Sequence, residues 1–228
     1  MWSATGRCLY ELRTKTEKID MYIVCSDLEG VFVPEIWINV AEKTGIQDLR
    51  LTTRDIADYD VLMKRRLKIL DENHLKIDDI QAIIATMNPL DGAVDFLNWL
   101  RSRTQIIVVS DTFDQFARPL MEKLGWPTLF CHTLSITPDG FISDYVLRQK
   151  DGKRESVISL RKLNYNIIAL GDSYNDISML KEADNGILFN PPDNVTNEFP
   201  EFPVTFSYET LKQMIQQILS NHSNQPKT

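Results

Sequence analysis

Cysteine is scarce in this chain: the 228 residues hold Cys8, Cys25 and Cys131, an odd number with neither CxxC nor metal-ligand spacing. That argues against a disulfide-stapled scaffold and a thiolate zinc site, and a reducing cytoplasmic compartment is the simple reading. Long apolar runs are also missing, since none approaches the roughly 18 residues needed to span a bilayer. Basic residues are in deficit, with 25 Lys and Arg against 32 Asp and Glu and a formal net charge of −7. Such a balance disfavours a whole-chain electrostatic footprint for nucleic acid or anionic membrane, while leaving room for a local basic pocket around one phosphate group. Internal repeats and low-complexity segments are absent. The first twenty residues lack an apolar segment followed by a small-residue cleavage site, so they do not read as a secretory signal. Residues 1–20 are expected to be a dispensable extension, with Met21 directly before the first strand.

What is present is enough apolar material, 43% of the chain, to bury a substantial core. Three short β-rich runs end in acidic or hydroxyl residues: Tyr22–Ser26 before Asp27, Ile106–Val109 before Ser110, and Asn166–Leu170 before Gly171 and Asp172. Near-continuous apolar strands suit a parallel sheet buried on both faces, and the helical patterns between them imply right-handed βαβ crossovers. The expected class is α/β, an open Rossmann-like parallel sheet flanked by helices. In such sheets ligands bind at the carboxyl ends of the strands, where all of these polar clusters fall.

Residues 36–86 form an insert that reads as helical. Tyr59, Leu62, Met63, Leu67 and Leu70 recur at three- and four-residue spacing, as do Ile80, Ile83 and Ile84 within Ile77–Ala85. The insert is expected to form a small helical cap over the strand ends, with residues 21–35 and 87–219 making the core. A helical layer that merely completes the core would bury the same stripe, so periodicity alone does not separate the two. Pro138-Asp139-Gly140 marks a hairpin turn between Thr133–Ile136 and Phe141–Leu147. Gly186–Phe189 is a further strand, Tyr208–Leu219 a closing helix, and residues 220–228 a flexible tail.

Asp27-Leu28-Glu29 carries two carboxylates that share one face if extended, suited to binding a divalent cation or to nucleophilic and proton-transfer work. Gly171-Asp172-Ser173-Tyr174-Asn175-Asp176 adds a second pair, Asp172 and Asp176. Capping of the next helix accounts for one of these residues but not for two acids beside an acidic first strand end. Ser110-Asp111-Thr112 offers a hydroxyl and loop donors for phosphoryl oxygens, with capping of a helix over Phe113–Leu124 as the plain alternative. A cation is wanted beside so much negative charge. Lys150 and Lys153 both stand before the helix leading to Leu163, and Lys153 is preferred.

The order acid-x-acid, Ser, Lys, Gly-Asp-x-x-x-Asp resembles the haloacid dehalogenase superfamily of phosphoryl-transfer enzymes. Within it the chain is most similar to the phosphoserine phosphatases, and to their bifunctional phosphoserine phosphatase and phosphohomoserine phosphotransferase branch. The likeness rests on Asp27–Val31 with Val33–Trp37, Thr53–Ile56, Asp58–Met63, Ser110–Phe113 and Gly171–Asp176.

The resemblance implies a magnesium-dependent enzyme with a C1-type cap and small-molecule substrates, namely phosphoserine and, as acceptor, homoserine. A homodimer stays open. Asp27 would be the phosphoryl-accepting nucleophile and a metal ligand. Glu29 would be the general acid/base with its backbone carbonyl on the metal, Asp172 the remaining ligand and Asp176 its support. Ser110 and Lys153 would hold the phosphoryl group, with Asp111, Thr112 and Asn175 beside it. Glu35 and Arg66 would read the substrate amino and carboxylate groups, although Glu35 is offset by one position from the usual pattern. As a first-turn acid after Pro34, Glu35 also has a purely structural reading. Two departures match the bifunctional branch: Glu29 stands where aspartate is usual, and Asp111 where phosphoserine phosphatases typically have glycine. The nearest alternative is a phosphatase of the same fold for another small phosphomonoester. A receiver-like phosphoacceptor module is remote, because it leaves the insert and Gly171–Asp176 unexplained.

Overall fold

The computed structural model describes residues 21–52, 55–56 and 58–221. The expectations for residues 1–20, for Thr53 and Arg54, and for the tail beyond 221 lie outside the described residues.

The chain runs β1 (Tyr22–Ser26), α1 (Ile36–Thr44), a 3-10 turn (Gln47–Arg50), α2 (Tyr59–Glu72), α3 (Ile77–Ala85), α4 (Ala93–Arg101) and β2 (Gln105–Phe113). It continues through α5 (Asp114–Lys123), β3 (Thr128–Ile136), β4 (Ile142–Val146), α6 (Gly152–Lys162) and β5 (Asn166–Gly171). A 3-10 turn (Tyr174–Asp176) then leads to α7 (Ile177–Glu182), β6 (Asn185–Phe189), α8 (Asp193–Glu198), β7 (Val204–Thr205) and α9 (Tyr208–Asn221).

Seven strands form one sheet in the order β4-β3-β2-β1-β5-β6-β7. All neighbours are parallel except β3 and β4, which pair antiparallel around the turn at Pro138–Gly140 as the sequence predicts. The side-chain period of two explains why the strands read as continuous apolar runs. On one face, Tyr22, Val24, Val108, Ile168 and Leu170 pack with Phe96 of α4, Phe116 and Leu120 of α5, and Leu211 and Ile215 of α9. On the other, Ile23, Cys25, Val109, Ile167 and Ala169 meet Val157 of α6, Met179 and Leu180 of α7, and Val195 of α8. Strand β1 lies between β2 and β5, so the chain leaves it to either side. That reversal opens a crevice at the carboxyl ends of these three strands.

Residues 36–86 contain helices α1–α3, with the 3-10 turn between α1 and α2. Met63, Leu67, Leu70, Ile77, Ile80 and Ile84 join the same buried cluster as the α4–α5 face of the sheet. Polar ties reinforce this packing. Gln81 Nε2 donates to the Gln115 carbonyl at 2.7 Å, and the Ile77 N–H to the Gly140 carbonyl at 3.0 Å. Lys123 donates to the Ala85 carbonyl at the end of α3, at 2.7 Å, and also to the Met87 carbonyl. A cation at a helix C-terminus satisfies carbonyls that the helix leaves unpaired.

Three boundaries differ from the sequence reading. Strand β2 extends through Ser110–Thr112 to Phe113, with a register shift against β3 between Val109 and Phe113. The polar triplet therefore sits within an irregular strand end, and α5 begins at Asp114 with no side-chain cap. Helix α6 starts at Gly152, which places Lys153 inside its first turn rather than before it. The closing helix α9 continues to Asn221 instead of ending at Leu219, so Ser220 is helical.

Candidate functional site

Asp27 follows β1 directly, and its N–H donates to the Leu170 carbonyl of the neighbouring β5 at 2.9 Å. This fixes the acid at the sheet's crevice, while Leu28 turns fully inward. The next residues form a turn in which Gly30 adopts φ +75°, a left-handed conformation that favours glycine. A second reason for glycine is space. A Cβ there would lie 2.4 Å from the Asp172 carboxyl carbon. Gly171 is constrained similarly, for its Cβ would come within 2.3 Å of the Asp176 Cβ. The glycines of the two acidic segments thus let the carboxylates approach the backbone.

Asp27, Asp172 and Asp176 can each bring one oxygen within 4.8 Å of the others. Asp176, fully buried, accepts the backbone N–H groups of Asp172 at 2.9 Å and Ser173 at 3.1 Å, which holds the segment in shape. Lys153 enters from α6 with its ammonium 2.7 Å from Asp176, 3.0 Å from Asp27 and 3.7 Å from Asp111. It is 2% exposed. Lys150, by contrast, is solvent-exposed.

Burial pushes the Asp27 carboxyl well above its usual range, reinforced by Asp176 and opposed by Lys153. Burial and then the neighbouring Asp176 and Glu35 charges lift Asp172 to about 7. For Lys153, burial alone would favour loss of the proton, but Asp176, Asp27 and Asp111 together hold it well above the ordinary lysine value.

A cavity of about 310 Å³ opens over these groups, lined by Asp27, Glu29, Glu35, Trp37, Tyr59 and Arg66 on one side and Ser110, Asp111, Thr112, Lys153 and Asn175 on the other. The Glu29 carboxylate accepts the Ile36 N–H at 2.7 Å, so it tethers the start of α1 and does not join the acid trio around Asp172. Burial, followed by the adjacent Glu35 charge, raises Glu29 to about 8. Glu35 precedes α1 as its N-cap residue but makes no side-chain cap bond, so it is not the first-turn helix acid of the structural reading. Its side chain reaches the cavity instead.

Arg66, buried on α2, donates to the Leu51 carbonyl at 2.7 Å, and its guanidinium lies 4.5 Å from the centre of the Trp37 ring. Its Nε is buried without a hydrogen-bond partner among the described residues. A buried unpaired guanidinium N–H beside a cavity is a ready donor to a carboxylate. Burial lowers Arg66 to about 10, which leaves it charged at neutral pH.

The irregular end of β2 supplies Ser110 and Thr112, both buried, with the Thr112 N–H donating to Ser110 Oγ at 3.3 Å. Asn175 is committed at both ends: Nδ2 donates to Asp111 at 3.2 Å, and Oδ1 accepts the Ser173 hydroxyl.

All the residues singled out in the sequence thus line this crevice, except Lys150, and Asp172 and Asp176, which lie against Asp27 beneath it. Three contributors were missed. Tyr59 fits an apolar stripe in the sequence, yet its hydroxyl donates to the Asp111 carbonyl at 3.1 Å and ties α2 to β2. Trp37 stacks on Arg66. His132, on β3, faces Asp111 from 3.6 Å and belongs to no motif.

Among the described residues no helix is long and apolar enough to cross a membrane.

The model of the haloacid dehalogenase-like hydrolases matches residues 23–184. A protein of Pseudomonas syringae pv. tomato named phosphoserine phosphatase is 57% identical over 210 residues, covering 92% of this chain and 84% of its own. One of Pseudomonas aeruginosa named phosphoserine phosphatase ThrH is 60% identical over 192 residues, covering 84% of this chain and 94% of its own. The solved structure of phosphoserine phosphatase from T. onnurineus superposes with a TM-score of 0.68 at 19% identity, over 89% of this chain and 98% of that one. That last likeness speaks to the fold.

Proposed function

This chain belongs to the haloacid dehalogenase-like hydrolase family, and on that premise we propose that it is a magnesium-dependent phosphoserine phosphatase that carries the phosphoryl group on Asp27. The observation that carries the substrate assignment is the shared cavity. The buried, part-unpaired Arg66 and the carboxylate of Glu35 open into the same 310 Å³ space as Asp27. A guanidinium for a carboxylate, a carboxylate for an ammonium and a nucleophile for a phosphate make up the three groups of a phosphorylated amino acid. The names carried by the two Pseudomonas relatives support the same substrate.

The residues fit a magnesium ion. Hard oxygen donors within 4.8 Å of one another suit it, and three carboxylates against the single ammonium of Lys153 leave buried negative charge to be offset. Asp27 and Asp172 would hold the ion together with the Glu29 carbonyl, and Asp176 would orient them. When bound, it supplies positive charge for the phosphoryl oxygens.

The chain's own groups do the rest. An Asp27 oxygen forms a bond to phosphorus as the bond from phosphorus to the serine oxygen breaks. Glu29, protonated near neutral pH by its raised pKa of about 8, gives its proton to that leaving oxygen. Glu29 then takes a proton from an acceptor hydroxyl, whose oxygen bonds to phosphorus and frees Asp27. Lys153, Ser110 and Thr112 steady the phosphoryl oxygens, with Asn175 beside them. Residues 36–86 act as the cap that limits water, and homoserine competes with water as acceptor.

The test is to supply phosphoserine and magnesium, with and without homoserine, and to follow free phosphate and phosphohomoserine. Free phosphate in both cases and phosphohomoserine in the second are expected. Absence of both products overturns the substrate assignment.

A further inference from the structure

Among the described residues, His132 is the histidine that lies against the site, and nothing in the motifs accounts for it. It sits on β3 opposite Phe113 of β2 and is 5% exposed. Its Nδ1 accepts the Arg148 backbone N–H at 3.2 Å. A ring nitrogen that accepts a hydrogen bond carries no proton, so the ring proton resides on Nε2, the atom that faces Asp111 Oδ1 at 3.6 Å. The other Asp111 oxygen receives Asn175 Nδ2 at 3.2 Å and stands 3.7 Å from the Lys153 ammonium. Asp111 thus accepts from Asn175 on one oxygen, while the other faces the His132 Nε2–H of β3 across a longer polar contact of 3.6 Å.

We propose that His132 is a positioning residue for the phosphoryl-transfer site: its Nε2–H orients the Asp111 carboxylate, which in turn sets Asn175 and Lys153. An aspartate beside a phosphate pocket needs such restraint. Turned inward, it would compete with the phosphoryl group for Lys153 and add like charge to it. Held by His132 on one oxygen and Asn175 on the other, it stays at the rim. Second-layer partners of this kind orient the groups that touch substrate, as histidine-orienting carboxylates do in metal sites.

The inference rests on the proposed phosphatase reading, and the test separates the two. His132→Gln keeps an N–H near the Nε2 position and loses the acceptor for Arg148. His132→Asn keeps a group near Nδ1 and loses the donor toward Asp111. With phosphoserine and magnesium, His132→Gln is expected within threefold of the parent kcat, and His132→Asn about tenfold lower. A second expectation is that the His132→Asn loss disappears in an Asp111→Asn background, where the carboxylate it restrains is gone. Equal activities for the two variants, or losses that multiply across Asp111→Asn, overturn the proposal and point to a packing role for the ring. A readout that needs no turnover accompanies these. Nitrogen NMR of the parent protein should give the Nε2–H form of His132, with a resonance that moves in Asp111→Asn. An Nδ1–H form, or no response, refutes the inference even where phosphoserine proves to be the wrong substrate.

Discussion

Gly30→Ala probes the site without touching any chemical group. At φ +75° the added methyl incurs left-handed backbone strain of about 1–2 kcal/mol. More important is what it meets: Cβ would lie 2.4 Å from both the carboxyl carbon and Oδ2 of Asp172, and 2.8 Å from Oδ1. Ordinary van der Waals contact begins near 3.4 Å, so the Asp172 carboxylate must retreat by about 1 Å. A misplacement of that size in a reacting site costs on the order of 10²-fold in rate. The assay pairs kcat for phosphoserine with the magnesium concentration for half-maximal activity and with thermal unfolding. The expected result is a stable protein whose kcat falls about a hundredfold and whose magnesium requirement rises. Activity within threefold of the parent at the same magnesium concentration would refute the assignment of Asp172 as a metal-holding acid.

Other consequences follow from the same geometry. Lys153→Met leaves buried Asp27 and Asp176 without their shared cation; chemical denaturation in the presence of a chelator should show a loss of about 3–5 kcal/mol, and an unchanged midpoint would contradict the pairing. Arg66→Lys removes the planar fork beside Trp37, so KM for phosphoserine should rise about 10- to 100-fold while a phosphomonoester lacking the carboxylate is unaffected. Equal effects on both substrates would place Arg66 outside amino-acid recognition. Glu29→Asp withdraws the carboxylate by one methylene from Ile36; the ratio of phosphohomoserine to free phosphate should fall, and an unchanged ratio would sever Glu29 from acceptor choice.

Much of this was readable from sequence because buried parallel strands and polar strand ends are local signals. Asp27 and Asp172 announce themselves as the first acidic residues after apolar, β-rich runs, and the two runs prove to be adjacent strands. Lys153 was legible mainly through motif order; its burial against Asp27 and Asp176 separates it from the exposed Lys150. Ser110–Thr112 was harder. Its polar character suggests a loop, yet hydrogen bonding carries β2 through it with a register shift, a non-local effect that propensity does not carry. Tyr59 fits a helical stripe equally well as core or as latch, and only the 3.1 Å contact to the Asp111 carbonyl decides. His132 left no trace, because its partners Asp111 and Arg148 are distant or backbone contacts that no spacing encodes.

The most direct test of the central claim is to identify the phosphorylated residue. The enzyme is quenched in acid within its first turnovers on phosphoserine and magnesium, digested, and its peptides mapped by mass. The peptide containing Asp27 should gain one phosphoryl group that is absent from Asp27→Asn. A phosphoryl group found on another residue, or steady turnover by Asp27→Asn, would contradict the account.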